Sequence, residues 1–179
     1  MAILKVLLYG DPRLHQKTSR VGELPLNFEQ TLKDMWDTMY DDDGIGLSAN
    51  QVGLDASFFI ADFALHDRTL GREVFINPEI VSAEDTIEGE EGCLSVPGIH
   101  EKVTRARKIL LRYETPNRTV VEREYCDYPA RVIQHEVDHL NGIVFVDRIS
   151  SLKRSFIAPR LKRLAKQAQA GIAAQAVGE

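Results

Sequence analysis

The sequence predicts an α+β fold, with small antiparallel or mixed sheets around a central helix and a further helix at the C-terminus. Three observations lead there. Apolar residues recur at three- and four-residue spacing near both ends of the chain, and short alternating runs follow one another without an intervening helix. The 179 residues also suit a single domain. Consecutive strands of this kind fit antiparallel pairing better than a βαβ repeat.

The first helix is expected over 27–40, where Phe28, Leu32, Met35, Trp36 and Met39 form one apolar face. Asp41-Asp42-Asp43-Gly44 should stop it, because carboxylates oppose the negative end of the helix dipole and glycine accepts a left-handed cap. Strands are expected at 57–61, at 73–76 closed by Asn77-Pro78, and at 108–114, where Ile109, Leu111 and Tyr113 alternate. Residues 119–125 follow the Pro116-Asn117 turn and complete a hairpin. A second helix begins near Pro129 and runs to Leu140, with Asp127 as N-cap and Asn141-Gly142 as stop. A third covers roughly 151–168.

With 44% apolar and 27% charged residues, the chain can bury an ordinary core, which excludes global disorder. The net charge of −5 offers phosphate backbones no general attraction, so DNA is not an expected partner. The charge is unevenly placed: residues 1–150 hold 16 basic against 26 acidic side chains, whereas Lys153, Arg154, Arg160, Lys162, Arg163 and Lys166 crowd the last helix. The expected organisation is one body over 1–150, a basic helix over 151–170 packed on it, and a flexible tail over 171–179. The short apolar run at the N-terminus, interrupted by Lys5, reads as neither a secretion signal nor a membrane span. Two cysteines are too few for a disulfide framework, which points to the cytoplasm.

The segment Gln134-His135-Glu136-Val137-Asp138-His139 carries the strongest chemical signal. On a helix, His135 and His139 project from one face and can present imidazole nitrogens to one cation, while Glu136 can reach a water without being a ligand. A catalytic site of this type needs a third protein ligand. His15 and His66 lie in polar, loop-like settings, His100 follows Pro97-Gly98, and Cys126 reads as a buried structural cysteine. Cys93 differs, because in Glu90-Glu91-Gly92-Cys93-Leu94-Ser95 the glycine allows close backbone approach and a thiolate ligates directly. Its bland alternative is a small apolar core residue. Gly44-Ile45-Gly46-Leu47-Ser48-Ala49-Asn50-Gln51 lacks the spacing of a phosphate loop, and taken alone reads as a turn.

Together, GIGLSANQ, EEGCLS and QHEVDH resemble the three signature motifs of the peptide deformylases, the metal enzymes that remove the N-formyl group from nascent bacterial polypeptides. Gly10-Asp11-Pro12-Arg13-Leu14, Ile76-Asn77-Pro78 and His139-Leu140-Asn141-Gly142 look like family positions too, so the resemblance covers essentially residues 1–150. The chain departs from the pattern at Ser48, where the family usually carries alanine, and at Gly89, where some members carry a larger apolar residue.

The resemblance implies Cys93, His135 and His139 as ligands of one divalent ion. It implies ferrous iron (Fe2+) in the cell, with Zn2+, Ni2+ or Co2+ able to take its place. It further implies Glu136 as proton carrier, with the Gln51 side-chain amide and the Leu94 backbone N–H as donors to an oxyanion. N-formylmethionyl peptides would lie as an added strand along the backbone of Ile45, Gly46 and Gly92, with Ile45 and Val132 against the methionine. Two rivals remain from the residues alone. A zinc peptidase predicts a downstream third ligand, for which the candidates are carboxylates such as Asp147 and Glu179, and a structural metal module predicts Cys126 as a fourth. Two further expectations concern charge: Glu91 and Arg105 pair beside the Cys93 loop, and the basic helix either docks the enzyme on the ribosome or is simply a solvated face.

Overall fold

A computed structural model describes residues 2–64, 66 and 68–177. In chain order the elements are α1 (Phe28–Asp41), β1 (Gly46–Ser48), β2 (Phe58–Asp62), β3 (Arg72–Glu84), β4 (Ile87–Glu91), β5 (Glu101–Arg105), β6 (Lys108–Glu114), β7 (Val120–Cys126), α2 (Asp127–Leu140) and α3 (Ser151–Val177). A five-stranded sheet has the order β1-β2-β3-β6-β7, and β4 and β5 form a separate pair. Every pairing is antiparallel, so the α+β expectation holds.

Strand β2 is buried on both faces, and the two-residue period of a strand divides its side chains between two cores. Phe59 and Ala61 join Ala130, Ile133 and Val137 of α2, while Phe58 and Ile60 join Phe28, Met35 and Met39 of α1. A third cluster unites Leu7, Leu14, Val96, Ile99 and Val103 with Ile157, Leu161 and Leu164, and this docks α3 on the body. Helix α2 lies at the centre, and His135, Glu136, Asp138 and His139 are all buried along it. Burying so many ionisable groups is costly unless each finds a partner.

Several local expectations change. Asp43, with φ +53, takes the left-handed turn assigned to Gly44. Strand β3 does not end at Asn77-Pro78: the chain bulges there, with Asn77 at φ +50 and the register against β6 shifted between Ile76 and Glu79. The Asn77 side chain accepts from the Val21 amide and donates to Glu114, so the bulge is pinned rather than frayed. At the start of α2, Cys126 occupies the N-cap position, and the Asp127 carboxylate pairs instead with Arg107. Cys126 is exposed, not buried. Helix α3 continues to Val177, so most of the segment expected as a tail is helical, and residues 178–179 lie outside those described.

Candidate metal centre and active-site cleft

Cys93, in the loop after β4, meets His135 and His139 of α2 in a cluster whose ligand atoms all lie within 4.8 Å of one another. Cys93 Sγ is 3.2 Å from His139 Nε2. Among the described residues, this is the one His, Cys, Asp and Glu group arranged to hold a metal ion. The donor chemistry fits a divalent transition metal. Burial, followed by the charges of His135 and Arg105, holds the His139 pKa well below its ordinary value, so its imidazole is neutral and keeps a lone pair. At His135 burial pushes the pKa down, but the Cys93 and Glu91 acceptors outweigh it and bring the pKa up to about 10. His135 Nδ1 faces Glu91 Oε2 at 3.0 Å, the carboxylate-to-histidine contact that orients a ligating imidazole.

Glu91 is itself held by Arg105 through Nε–Oε1 and Nη2–Oε2 contacts, each 2.9 Å. Arg131 Nη1 adds a third donor at 2.7 Å. Arg105 also bonds Asp138, and Asp138 bonds Arg148. The expected Glu91–Arg105 pair is therefore present, within a larger network that bridges the Cys93 loop and α2.

Glu136 is buried against β1. Its Oε2 accepts a 2.5 Å hydrogen bond from Ser48 Oγ, and a Cβ at Gly46 would lie 2.5 Å from its Oε1. Burial, the largest influence on this carboxyl, raises its pKa. Gln51 Oε1 accepts from the Ser48 amide at 2.9 Å, which turns the side-chain NH2 toward Ser95 Oγ at 3.2 Å and Cys93 Sγ at 3.5 Å. Among the described residues, no acceptor takes the Leu94 N–H.

These groups share a cleft of about 590 Å³ between β1 and the β4–Cys93 segment. All ten sequence-selected positions converge there: Ile45, Gly46, Gln51, Gly92, Cys93, Leu94, Val132, His135 and Glu136 line it, and His139 lies behind Cys93. Tyr128 and Arg131 also line the wall and were not anticipated. Arg131 lies one helical turn before His135, so a charged residue at that spacing on a buried face was the available signal. At Gly89 a Cβ would meet the Arg131 guanidinium at 2.9 Å, so the missing side chain makes room for that arginine.

The sequence model of the polypeptide deformylase family matches residues 3–155. A peptide deformylase of Chromobacterium violaceum is 42% identical over 167 residues, covering 93% of this chain and 99% of that protein. One from Alkalilimnicola ehrlichii is 40% identical over 175 residues, with 98% of each chain covered. The crystal structure of a peptide deformylase from Legionella pneumophila superposes with a TM-score of 0.84 at 37% identity, covering 94% of this chain and 98% of that one. A cleft that joins a Cys-His-His cluster to a buried glutamate, in a chain similar to these proteins over more than nine-tenths of its length, belongs to a member of the polypeptide deformylase family, the metal-dependent hydrolases that remove the N-formyl group from nascent polypeptides.

Proposed function

We propose that Glu136 carries the proton in this deformylation, that Cys93, His135 and His139 hold the metal, and that Gln51 and Leu94 bind the developing oxyanion. The supporting observation is the convergence in one cleft of three ligand atoms within 4.8 Å and a carboxyl whose burial favours the protonated form. A divalent ion held by these three residues would lower the pKa of a water towards neutrality and so supply a hydroxide-like nucleophile at physiological pH. Glu136 takes a proton from the attacking water as the oxygen bonds to the formyl carbon. The carbonyl oxygen, now negative, receives hydrogen bonds from Gln51 Nε2 and the Leu94 N–H. The C–N bond then breaks, and Glu136 returns the proton to the departing amine, leaving formate and a free N-terminus.

Strand β1 is an edge of its sheet, which suits a peptide added as a further strand. The Ile45 carbonyl already accepts from the Asp62 amide, so by the alternation of antiparallel ladders the substrate's backbone partner is Gly46. Ile45 and Val132, joined by Tyr128, wall the space for methionine, with Gly92 opposite. Ferrous iron is the proposed cellular ion, and the same donors accept Zn2+, Ni2+ or Co2+. No described helix is long and apolar enough to cross a membrane, and the proposed site of action is the cytoplasm, where nascent chains emerge.

The structural-module alternative loses its donor, because Cys126 is exposed and outside the cluster; of the zinc-peptidase candidates, Asp147 is bound to Arg154 and outside the cluster, and Glu179 lies outside the described residues. Docking on the ribosome has narrower support than the sequence suggested. Lys153 is tied to the Lys102 carbonyl, Arg154 to Asp147 and Arg160 to the Gly98 carbonyl. That leaves Lys162, Arg163 and Lys166 as the exposed cations of α3 proposed to meet phosphate. Formate release from a formyl-Met peptide, lost on chelation and restored by added Fe2+, tests the function.

A further inference from the structure

We propose that Ser48 is a positioning residue that sets Glu136 and Gln51 in register with one another, holding Glu136 Oε2 so that Oε1 is the oxygen that moves the proton. The inference deepens the reading of Glu136 as proton carrier and rests on it.

Ser48 is fully buried at the end of β1. Its hydroxyl lies 2.5 Å from Glu136 Oε2 and 3.2 Å from the Glu136 main-chain oxygen. A hydroxyl has one hydrogen to give, and the carboxyl oxygen at 2.5 Å is nearer than the main-chain oxygen at 3.2 Å. Two residues earlier on the same face of the strand, Gly46 leaves the space in which Oε1 sits, and a Cβ there would also come within 2.9 Å of the carboxyl carbon. The carboxyl group thus rests on backbone at one end and is tied at the other. Of its two oxygens, Oε2 is committed and Oε1 remains for chemistry.

The backbone of the same residue fixes the second participant. The Ser48 N–H donates to Gln51 Oε1 and thereby points the Gln51 NH2 toward Cys93. One residue therefore holds the proton carrier by its side chain and the oxyanion donor by its main chain. The seat is rigid, because β1 pairs with β2 and the adjacent Asn50 side chain donates to the His139 carbonyl at 2.6 Å. A hydroxyl that spans β1 and α2 is more than a strand terminus needs.

Ser48→Ala removes the hydroxyl and leaves the main-chain contact to Gln51 intact, and alanine is the residue that the family resemblance places there, so the variant folds. The expected result, with formyl-Met peptide and Fe2+-loaded enzyme, is a fall in kcat of about tenfold with KM and metal content unchanged. Ser48→Thr, which returns the hydroxyl, should recover kcat to within about twofold of the parent. Overturning results are a Ser48→Ala enzyme with full kcat, or one whose loss is accompanied by loss of metal or stability and is not recovered by threonine. Glu136→Ala in parallel separates the two ideas: if it is inactive while Ser48→Ala is fully active, only the role of Ser48 fails, and if it remains active, the proton-carrier reading fails.

Discussion

Glu91 and Arg105 face each other through two parallel contacts of 2.9 Å, with side chains only 4% and 3% exposed. Breaking a buried pair from one side strands a charge in a medium that solvates it poorly, which typically costs about 3–5 kcal/mol. Arg105→Met leaves both Glu91 and Asp138 without this partner, so urea unfolding should show a loss of that order. Glu91→Gln keeps the shape but weakens the acceptor for His135 Nδ1, and titration of metal binding should then show affinity lower by about tenfold or more.

Substituting the two cysteines in turn should separate ligand from bystander. A serine hydroxyl is a much poorer ligand than a thiolate at neutral pH, so Cys93→Ser should lose metal and activity together. Cys126→Ser, on the exposed end of β7, should retain both. Metal analysis of the two purified variants decides it, and the opposite pattern would move the site.

The proposed ligands and Glu136 were legible because helical spacing is a local property: His135, Glu136 and His139 share one α-helical segment, and three motifs in order limited the choice of Cys93. The hairpin β6–β7 was legible for the same reason, from Ile109, Leu111 and Tyr113. Strands β4 and β5 were not. Residues 87–91 include Glu88, Glu90 and Glu91, and a run so acidic has no apolar alternation to display. Strand β3 hid its second half because Asn77-Pro78 signals termination, while the bulge that carries the strand past it depends on Val21 and Glu114, both remote in sequence. Arg105 was legible as the partner of Glu91, whereas Arg131 was not singled out until burial placed it beside the same carboxylate. Ser48 was visible only as a departure from the family pattern for a related reason, since its acceptor lies 88 residues away.

Acid sensitivity should show at Asp11, which is 3% exposed and accepts from the backbone and guanidinium of Arg13. Those hydrogen bonds, led by that from the Arg13 side chain, outweigh burial and hold the Asp11 pKa below its ordinary value. A depressed folded pKa contributes stability that is complete above the unfolded value of about 3.9 and disappears as pH falls through the folded one. Asp11→Asn should therefore be less stable than the parent at pH 7, with the gap closing below about pH 4. Urea midpoints across that range provide the check, and a gap independent of pH would refute it.

Charge reversal at Lys162, Arg163 and Lys166 should lower co-sedimentation with ribosomes and leave turnover of a short formyl-Met peptide unchanged. Rising salt should weaken the association of the parent protein in the same direction. Salt-independent association, or none by the parent, would reduce these cations to a solvated face.

The most direct test is metal content and formate release measured together on Glu136→Ala. With Glu136 proposed as a proton carrier and not a ligand, the variant should retain the parent's metal content per chain while turnover of formyl-Met peptide falls by at least about a hundredfold. Loss of the metal with the carboxylate, or turnover close to that of the parent, would contradict the account.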